Sequence, residues 1–242
     1  MFKIKLADLT IEIDNKYTYI EEQCSGYITE GDADFCVSLS DEQIAAEAAE
    51  MSDEYDTEFN PGYLESLAAY RVIAEKLLDY DGFLLHSAVI DVNGQGIAFA
   101  ARSGTGKTTH IRLWRRFLGD GCAVINGDKP LIRFTEGRPY AYGTPWAGKE
   151  GYNINSRVRL SDICCLDRAG ENSIAPIPAG EAVRRLFCQI YMPKNPAKKI
   201  KTLELMDLLM KNIRVWKIGC NMDISAAETV YNKIFEVKTN ED

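Results

Sequence analysis

A mixed α/β fold, with one mixed sheet, flanking helices and a phosphate-binding loop fed by a β-hairpin, is what the sequence predicts. Three observations carry that prediction. In Gly96–Arg116, the apolar run Ile97-Ala98-Phe99-Ala100 stops at Ala101-Arg102-Ser103-Gly104-Thr105-Gly106-Lys107-Thr108, and Ile111, Trp114 and Leu118 follow at helical spacing. This is the strand, Gly-rich turn and helix of a P-loop, with Ala101 in place of the first glycine of the strict pattern. Asn93-Gly94, a strong hairpin signal, stands just before that strand. Further strand-like and amphipathic helical stretches are interleaved along the chain.

In chain order, Ile4–Leu6, Thr10–Ile13 and Asp34–Ser38 read as short strands, with turn residues at Asp14-Asn15, Ser25-Gly26 and Gly31-Asp32. Ser40–Phe59 is acidic, including Glu47, Asp56 and Glu58, and reads as a solvated helix or loop. A helix capped by Asn60, with Pro61 at its first position, carries the stripe Leu64, Leu67, Ala68, Ala74, Leu77 and Leu78. Gly82–Val92 reads as one buried strand. The strand after Asn93-Gly94 then returns antiparallel to it, unlike the parallel crossovers of Ras-like or RecA-like folds.

Beyond the loop helix, strands are expected at Ala123–Ile125, Leu131–Phe134, Tyr140–Tyr142 and Ile163–Leu166, and a short one at Val215–Ile218. Helices are expected over Gly180–Tyr191, with Val183, Leu186, Phe187 and Ile190 on one face, over Leu203–Met210 and over Ala226–Phe235. Gly143–Gly151 is a loop of small residues around Trp146 and Lys149, and Lys238–Asp242 looks frayed. The expected division is a β-rich subdomain over 1–60 and a loop-bearing domain over 61–242, joined as one compact unit.

Of the 242 residues, 46% are hydrophobic and 26% charged, ordinary values for a globular chain. The net charge of −8 argues against a general nucleic-acid binder. No apolar run is long enough to span a bilayer, and none reads as a signal peptide. Seven cysteines without a CxxC pair fit a reducing cytoplasm. With His86 and His110 as the only histidines, a zinc site is not expected.

Each residue type in the loop has a physical task. Gly104 and Gly106 permit the tight turn, and the exposed N–H groups of Ser103–Thr109, with the positive end of the helix, suit a polyphosphate. Lys107 reaches phosphates as a point charge, and the Thr108 hydroxyl suits Mg²⁺. Asp128, in Asn126-Gly127-Asp128-Lys129 after the next strand, is the candidate carboxylate. Asp167 is its rival, because it too follows an apolar run. A second cation is sought at Lys149, Arg157 or Arg159. His110 reads as structural. Trp146 reads as packing, with contact to a ligand as the alternative.

The ordered set HSAVIDVNGQG, SGTGKTT and INGDKP resembles the catalytic domain of HPr kinase/phosphorylase. It is also similar to ATP-dependent phosphoenolpyruvate carboxykinase. The resemblance spans roughly Leu84–Arg133 and extends weakly to the GTPWAGK loop. It implies an ATP- and Mg²⁺-dependent kinase acting on a hydroxyl, most simply serine of a small protein or peptide, with a homo-oligomer possible. It further implies that His86 lies near the reacting phosphate and that Asp128 serves as metal ligand or proton acceptor, with Lys149 as the nearest phosphate-binding cation. The family's Asp-Asp pair is Gly127-Asp128 here. That departure leaves open a nucleotide-binding regulator without transfer. A small-molecule phosphotransferase nearer the carboxykinase is the third reading.

Overall fold

The computed structural model describes residues 1–54 and 59–236. Asp56, Glu58 and the stretch 238–242 lie outside the described residues. The chain divides into two compact units, Met1–Tyr80 and Asp81–Asp242.

The first unit holds β1 (Phe2–Leu6), β2 (Leu9–Asp14), α1 (Tyr19–Gln23), β3 (Phe35–Ser38), α2 (Asp41–Glu54) and α3 (Pro61–Leu77). β1 and β2 pair antiparallel, and β3 lies parallel to β2. Their hairpin turns at Ala7 (φ 52°) and Asp8 (φ 61°), both left-handed, as a two-residue turn of primed type requires. Neither residue is glycine or asparagine, so the turn left no mark in the sequence reading. Asn60 caps α3 by accepting from the Gly62 N–H at 2.8 Å, and the Leu and Ala stripe of α3 is buried. The acidic stretch does form a helix, α2, but Glu47 is not solvated. It is buried in a two-pronged pair with Arg71, at 2.7 and 3.0 Å. Helix α3 packs on α1, α2 and β3. It therefore lies in this unit, and the division falls after Tyr80 rather than at residue 60.

The second unit contains β4 (Gly82–Leu84), β5 (Ser87–Val92), β6 (Gln95–Ala100), α4 (Lys107–Leu118), β7 (Cys122–Asn126), β8 (Leu131–Thr135), β9 (Arg138–Tyr142), β10 (Arg157–Arg168), β11 (Ser173–Pro176), α5 (Ala179–Phe187), α6 (Pro196–Asn212), β12 (Arg214–Cys220) and α7 (Ser225–Glu236). Among the described residues its strands form one nine-stranded mixed sheet. The main order is β4-β8-β9-β10-β6-β5-β7, with β12 also beside β10 and β11 beyond β12. β6 runs parallel to β10 and antiparallel to β5. The hairpin turn at Asn93 (φ 54°) and Gly94 (φ 81°) thus delivers β6, and the loop after it, in the direction the sequence predicted.

β6 is buried along its whole length because both of its faces are covered. One face packs Ile97 and Phe99 with Ile111 and Trp114 of α4, Trp216 of β12 and Val230 of α7. Alternation sends Cys165 and Asp167 of β10 to the face opposite Cys164 and Leu166, toward α5.

Two expectations need correction, and one strand was not anticipated. Gly82–Val92 is two strands, because the chain changes neighbours at Leu85-His86. There the N–H groups of Leu85, His86 and Ser87 bond to the carbonyls of Pro130, Gln189 and Asp128 at 3.3, 2.7 and 3.0 Å. Helix α5 ends at Phe187, and its core residues are Ala182 and Leu186, whereas Val183 and Phe187 are exposed. Ile190 lies past the helix and bridges to Leu85. Finally, β11 is an edge strand of only four residues that ends in proline, and it has no counterpart among the expected strands.

Candidate active site

The loop 101–106 joins the C-terminal end of β6 to α4. Gly106 stands at the helix N-cap with φ 125° and ψ 20°, a backbone position closed to residues with a Cβ. It offers no side chain to the first helical N–H groups, and among the described residues no side-chain cap is made there. Those donors remain open to an anion. Arg168, at the end of β10, holds the outer side of the loop through Nε to Thr105 O at 3.0 Å and through Nη2 to Gly104 O. Ser103 and Thr109 are exposed, and Thr105 and Thr108 are half-buried.

Lys107, the first residue of α4, is 7% exposed. Its Nζ lies 3.0 Å from Ala101 O and 3.1 Å from His86 Nε2. The same Nε2 lies 3.1 Å from Asp128 Oδ1. One ring nitrogen cannot serve both neighbours at once. Protonated, it donates to the carboxylate; unprotonated, it accepts from the ammonium. Residues from the β4–β5 break, the loop and the turn after β7 thereby converge on one cluster. The structure brings together His86, Lys107 and Asp128 from the sequence reading.

The electrostatics of the cluster are opposed. Burial lowers the pKa of the Lys107 ammonium from 10.5, and Asp128 partly counters it. Burial works the other way on Asp128. The hydrogen bond from His86 and the charges of His86, Lys129 and Lys107 outweigh it and hold the carboxyl below its usual 3.8.

Sequence reasoning missed the residues that fix this geometry. Asn126 is wholly buried, and its Oδ1 accepts from the N–H groups of Asp128 and Lys129 at 2.8 and 2.7 Å. Its Nδ2 donates to Thr144 O and Oγ1, both at 3.0 Å. This is an Asx turn, for which Asn-Gly-Asp was a legible signal. Gln189, with its amide nitrogen facing two carbonyls, donates to His86 O at 3.2 Å and Ala101 O at 3.0 Å. No local pattern marked it.

Other candidates lie elsewhere. Both oxygens of Asp167 are taken by Arg185, at 3.1 and 3.0 Å, away from Lys107 and His86. Lys149 is exposed, and no bond ties it to the cluster, although neighbouring Gly148 lies against Asp128. Arg159 pairs with Gln95 at the start of β6. At about 3.3 Å per residue, it sits roughly 17 Å from the loop end of that strand, and Arg157, two residues further along β10, lies farther still. Arg157 bonds Tyr142 at 3.1 Å and stacks on Tyr140. Trp146 is buried. His110 is buried against Phe99 and accepts from Trp114 Nε1 at 3.0 Å; burial pushes its pKa down to about 4, so it stays neutral. The arginines that do stand beside the loop are Arg102, Arg168, Arg184 and Arg185, around a cleft of about 480 Å³.

No family model and no curated protein matches the chain. Among solved structures it is similar to the Hpr(Ser) kinase/phosphatase from Coxiella burnetii, at 12% identity and a TM-score of 0.36, over 65% of this chain and 94% of that one. Likeness at that TM-score settles neither fold nor function, so the functional reading rests on the site itself.

Proposed function

We propose that this protein is an ATP-dependent kinase that transfers the γ-phosphate to a hydroxyl, serine of a small protein or peptide. The observation that carries the reading is the cluster of Lys107, His86 and Asp128 at the mouth of a loop whose helix N–H groups have no cap. Phosphoryl transfer asks for positioning and for neutralisation of charge, and this arrangement offers both. The resemblance of SGTGKTT and HSAVIDVNGQG to HPr kinase/phosphorylase supports it.

In this reading the loop amides and α4 hold the β- and γ-phosphates. Lys107 leaves Ala101 O and His86 and turns to the γ-phosphate, where an anion restores the charge that burial disfavours. The serine oxygen bonds to the γ-phosphorus as the bond to the β,γ-bridging oxygen breaks. ADP departs with that electron pair, and the hydroxyl proton passes to Asp128. A carboxylate with a depressed pKa is a weak base, which suits a loose transition state in which the proton leaves late. His86 orients Asp128. Asp128 and the Thr108 hydroxyl are hard oxygen donors, and Asp128 Oδ2 has no partner among the described residues. They are the residues that would hold Mg²⁺, which when bound offsets phosphate charge. The seven cysteines are all free, and no described helix is long and apolar enough to cross a membrane. Both facts suit a cytoplasmic enzyme.

The test is γ-phosphate transfer from ATP to serine peptides, with and without Mg²⁺, against Lys107→Ala. Transfer and hydrolysis no greater than in that variant would refute the kinase. A second reading, a nucleotide-dependent regulator, is favoured by the single carboxylate at Gly127-Asp128. It predicts ATP binding without turnover.

A further inference from the structure

We infer that the cleft between the loop and α5 is the docking site of an acidic acceptor segment, an inference that rests on the kinase reading above. Arg102, Arg168, Arg184 and Arg185 line it, with Asp167 and Glu181 as its acids. This is a local excess of positive charge on a chain of net charge −8. The acids are already engaged by Arg185, Asp167 through both oxygens and Glu181 at 2.9 Å. Arg168 is engaged by the loop carbonyls. The guanidinium groups of Arg102 and Arg184 have no hydrogen-bond or ion-pair partner among the described residues. Two unmatched guanidinium groups at a concave surface suit carboxylates brought from outside.

The location selects the acceptor over the nucleotide. The triphosphate is accounted for by the loop amides and Lys107, and the adenosine end of ATP carries no charge to match arginine. Gln189 lines the cleft and also donates to His86 O and Ala101 O. A chain lying in the cleft therefore ends beside the reacting cluster. The peptide after α5 is fixed there, since His86 N–H bonds Gln189 O at 2.7 Å and Tyr191 N–H bonds Leu84 O at 3.1 Å. Phe187, 46% exposed and one helical turn from Arg184, adds an apolar contact beside that guanidinium. A segment with carboxylates near its serine and an apolar residue among them fits this wall.

The test reads binding apart from turnover. A fluorescein-labelled short peptide with one serine among glutamates, and its lysine counterpart, are titrated by anisotropy, and ATP is titrated by calorimetry. The acidic peptide should bind, more weakly as salt rises, and the lysine peptide should not. Arg184→Glu should weaken peptide binding at least about tenfold and leave ATP affinity unchanged. Arg184 is exposed, so the substitution does not threaten folding, and Arg184→Lys should keep part of the affinity. Equal binding of both peptides, no binding at millimolar peptide, or loss of ATP rather than peptide affinity in Arg184→Glu would each overturn the assignment. Peptide binding without γ-phosphate transfer to any acceptor would refute the kinase and leave the docking site standing. Transfer that is indifferent to Arg184→Glu would do the reverse.

Discussion

His86 Nε2 lies 3.1 Å from Asp128 Oδ1, and this bond ties the turn after β7 to the break between β4 and β5. His86 thus sets the direction in which the carboxylate faces the loop. His86→Asn should lower kcat by about 10- to 100-fold, less than the 10²–10⁴ typical of a group that itself moves the proton. KM for ATP should change little, because the loop amides are untouched. Steady-state kinetics with ATP and acceptor varied separately reads the split. A rise in KM at unchanged kcat would show that His86 serves binding instead.

Lys107 is held in a setting that disfavours its charge, so function and stability oppose each other at this residue. Its folded pKa lies below the unfolded 10.5. Between those two values the unfolded chain binds the extra proton, and stability rises with pH; below the folded value the full cost is present. Lys107→Met should therefore abolish transfer while stabilising the ligand-free protein at neutral pH, by on the order of 0.5–2 kcal/mol. Urea unfolding at pH 7 checks the gain. The advantage over wild type should shrink as pH rises toward 10.5.

Asp128 has the opposite linkage. Its folded pKa is below the unfolded 3.8, so it adds stability above that value and loses it as pH falls through the folded value. Asp128→Asn should lower stability at pH 7 and flatten the loss below pH 4. Denaturant midpoints measured across that range would show a slope unchanged from wild type if Asp128 were not ionised in the fold.

Asn126 acts on Asp128 only through the backbone. Asn126→Ala leaves the N–H groups of Asp128 and Lys129 without their acceptor in a buried turn. The expected cost is about 1–3 kcal/mol in stability. Among molecules that still fold, kcat should fall more than ATP affinity. Asn126→Asp keeps the acceptor and should recover part of kcat, which a purely packing role would not allow.

Much of this architecture was legible because local chemistry and global fold agree. Asn93-Gly94 fixed the hairpin, SGTGKTT fixed the loop, and Asn60-Pro61 fixed the start of α3. The misses share a cause: they depend on partners distant in sequence. Leu85-His86 reads as strand, yet its N–H groups bond to the segments at Pro130 and Gln189. Val183 and Phe187 continue a helical stripe, yet the face that packs is that of Ala182 and Leu186. Lys149, Arg157 and Arg159 are the second cations expected from the sequence, whereas strand register carries Arg168 to the loop and the other two arginines away from it.

Gly127, next to Asp128 in the turn after β7, is packed against backbone. Its N–H donates to Tyr152 O at 2.8 Å, so the segment 147–152 lies directly on it. A Cβ at this position would stand 3.1 Å from Ala147 O and 3.3 Å from Tyr152 Cβ. Gly127→Asp therefore has to push the neighbouring backbone aside by a few tenths of an ångström. Overpacking of this kind costs about 1–3 kcal/mol. The variant should be less stable by that amount and should gain no turnover, with ATP affinity equal to or weaker than wild type. Thermal unfolding and transfer assays on the same preparation decide it. A gain in turnover of tenfold or more would mean that the loop yields easily and that the wild-type site is a weakened form of a two-carboxylate one. Unchanged stability with unchanged turnover would mean that 147–152 does not rest on Gly127, and would remove the steric account of the single carboxylate.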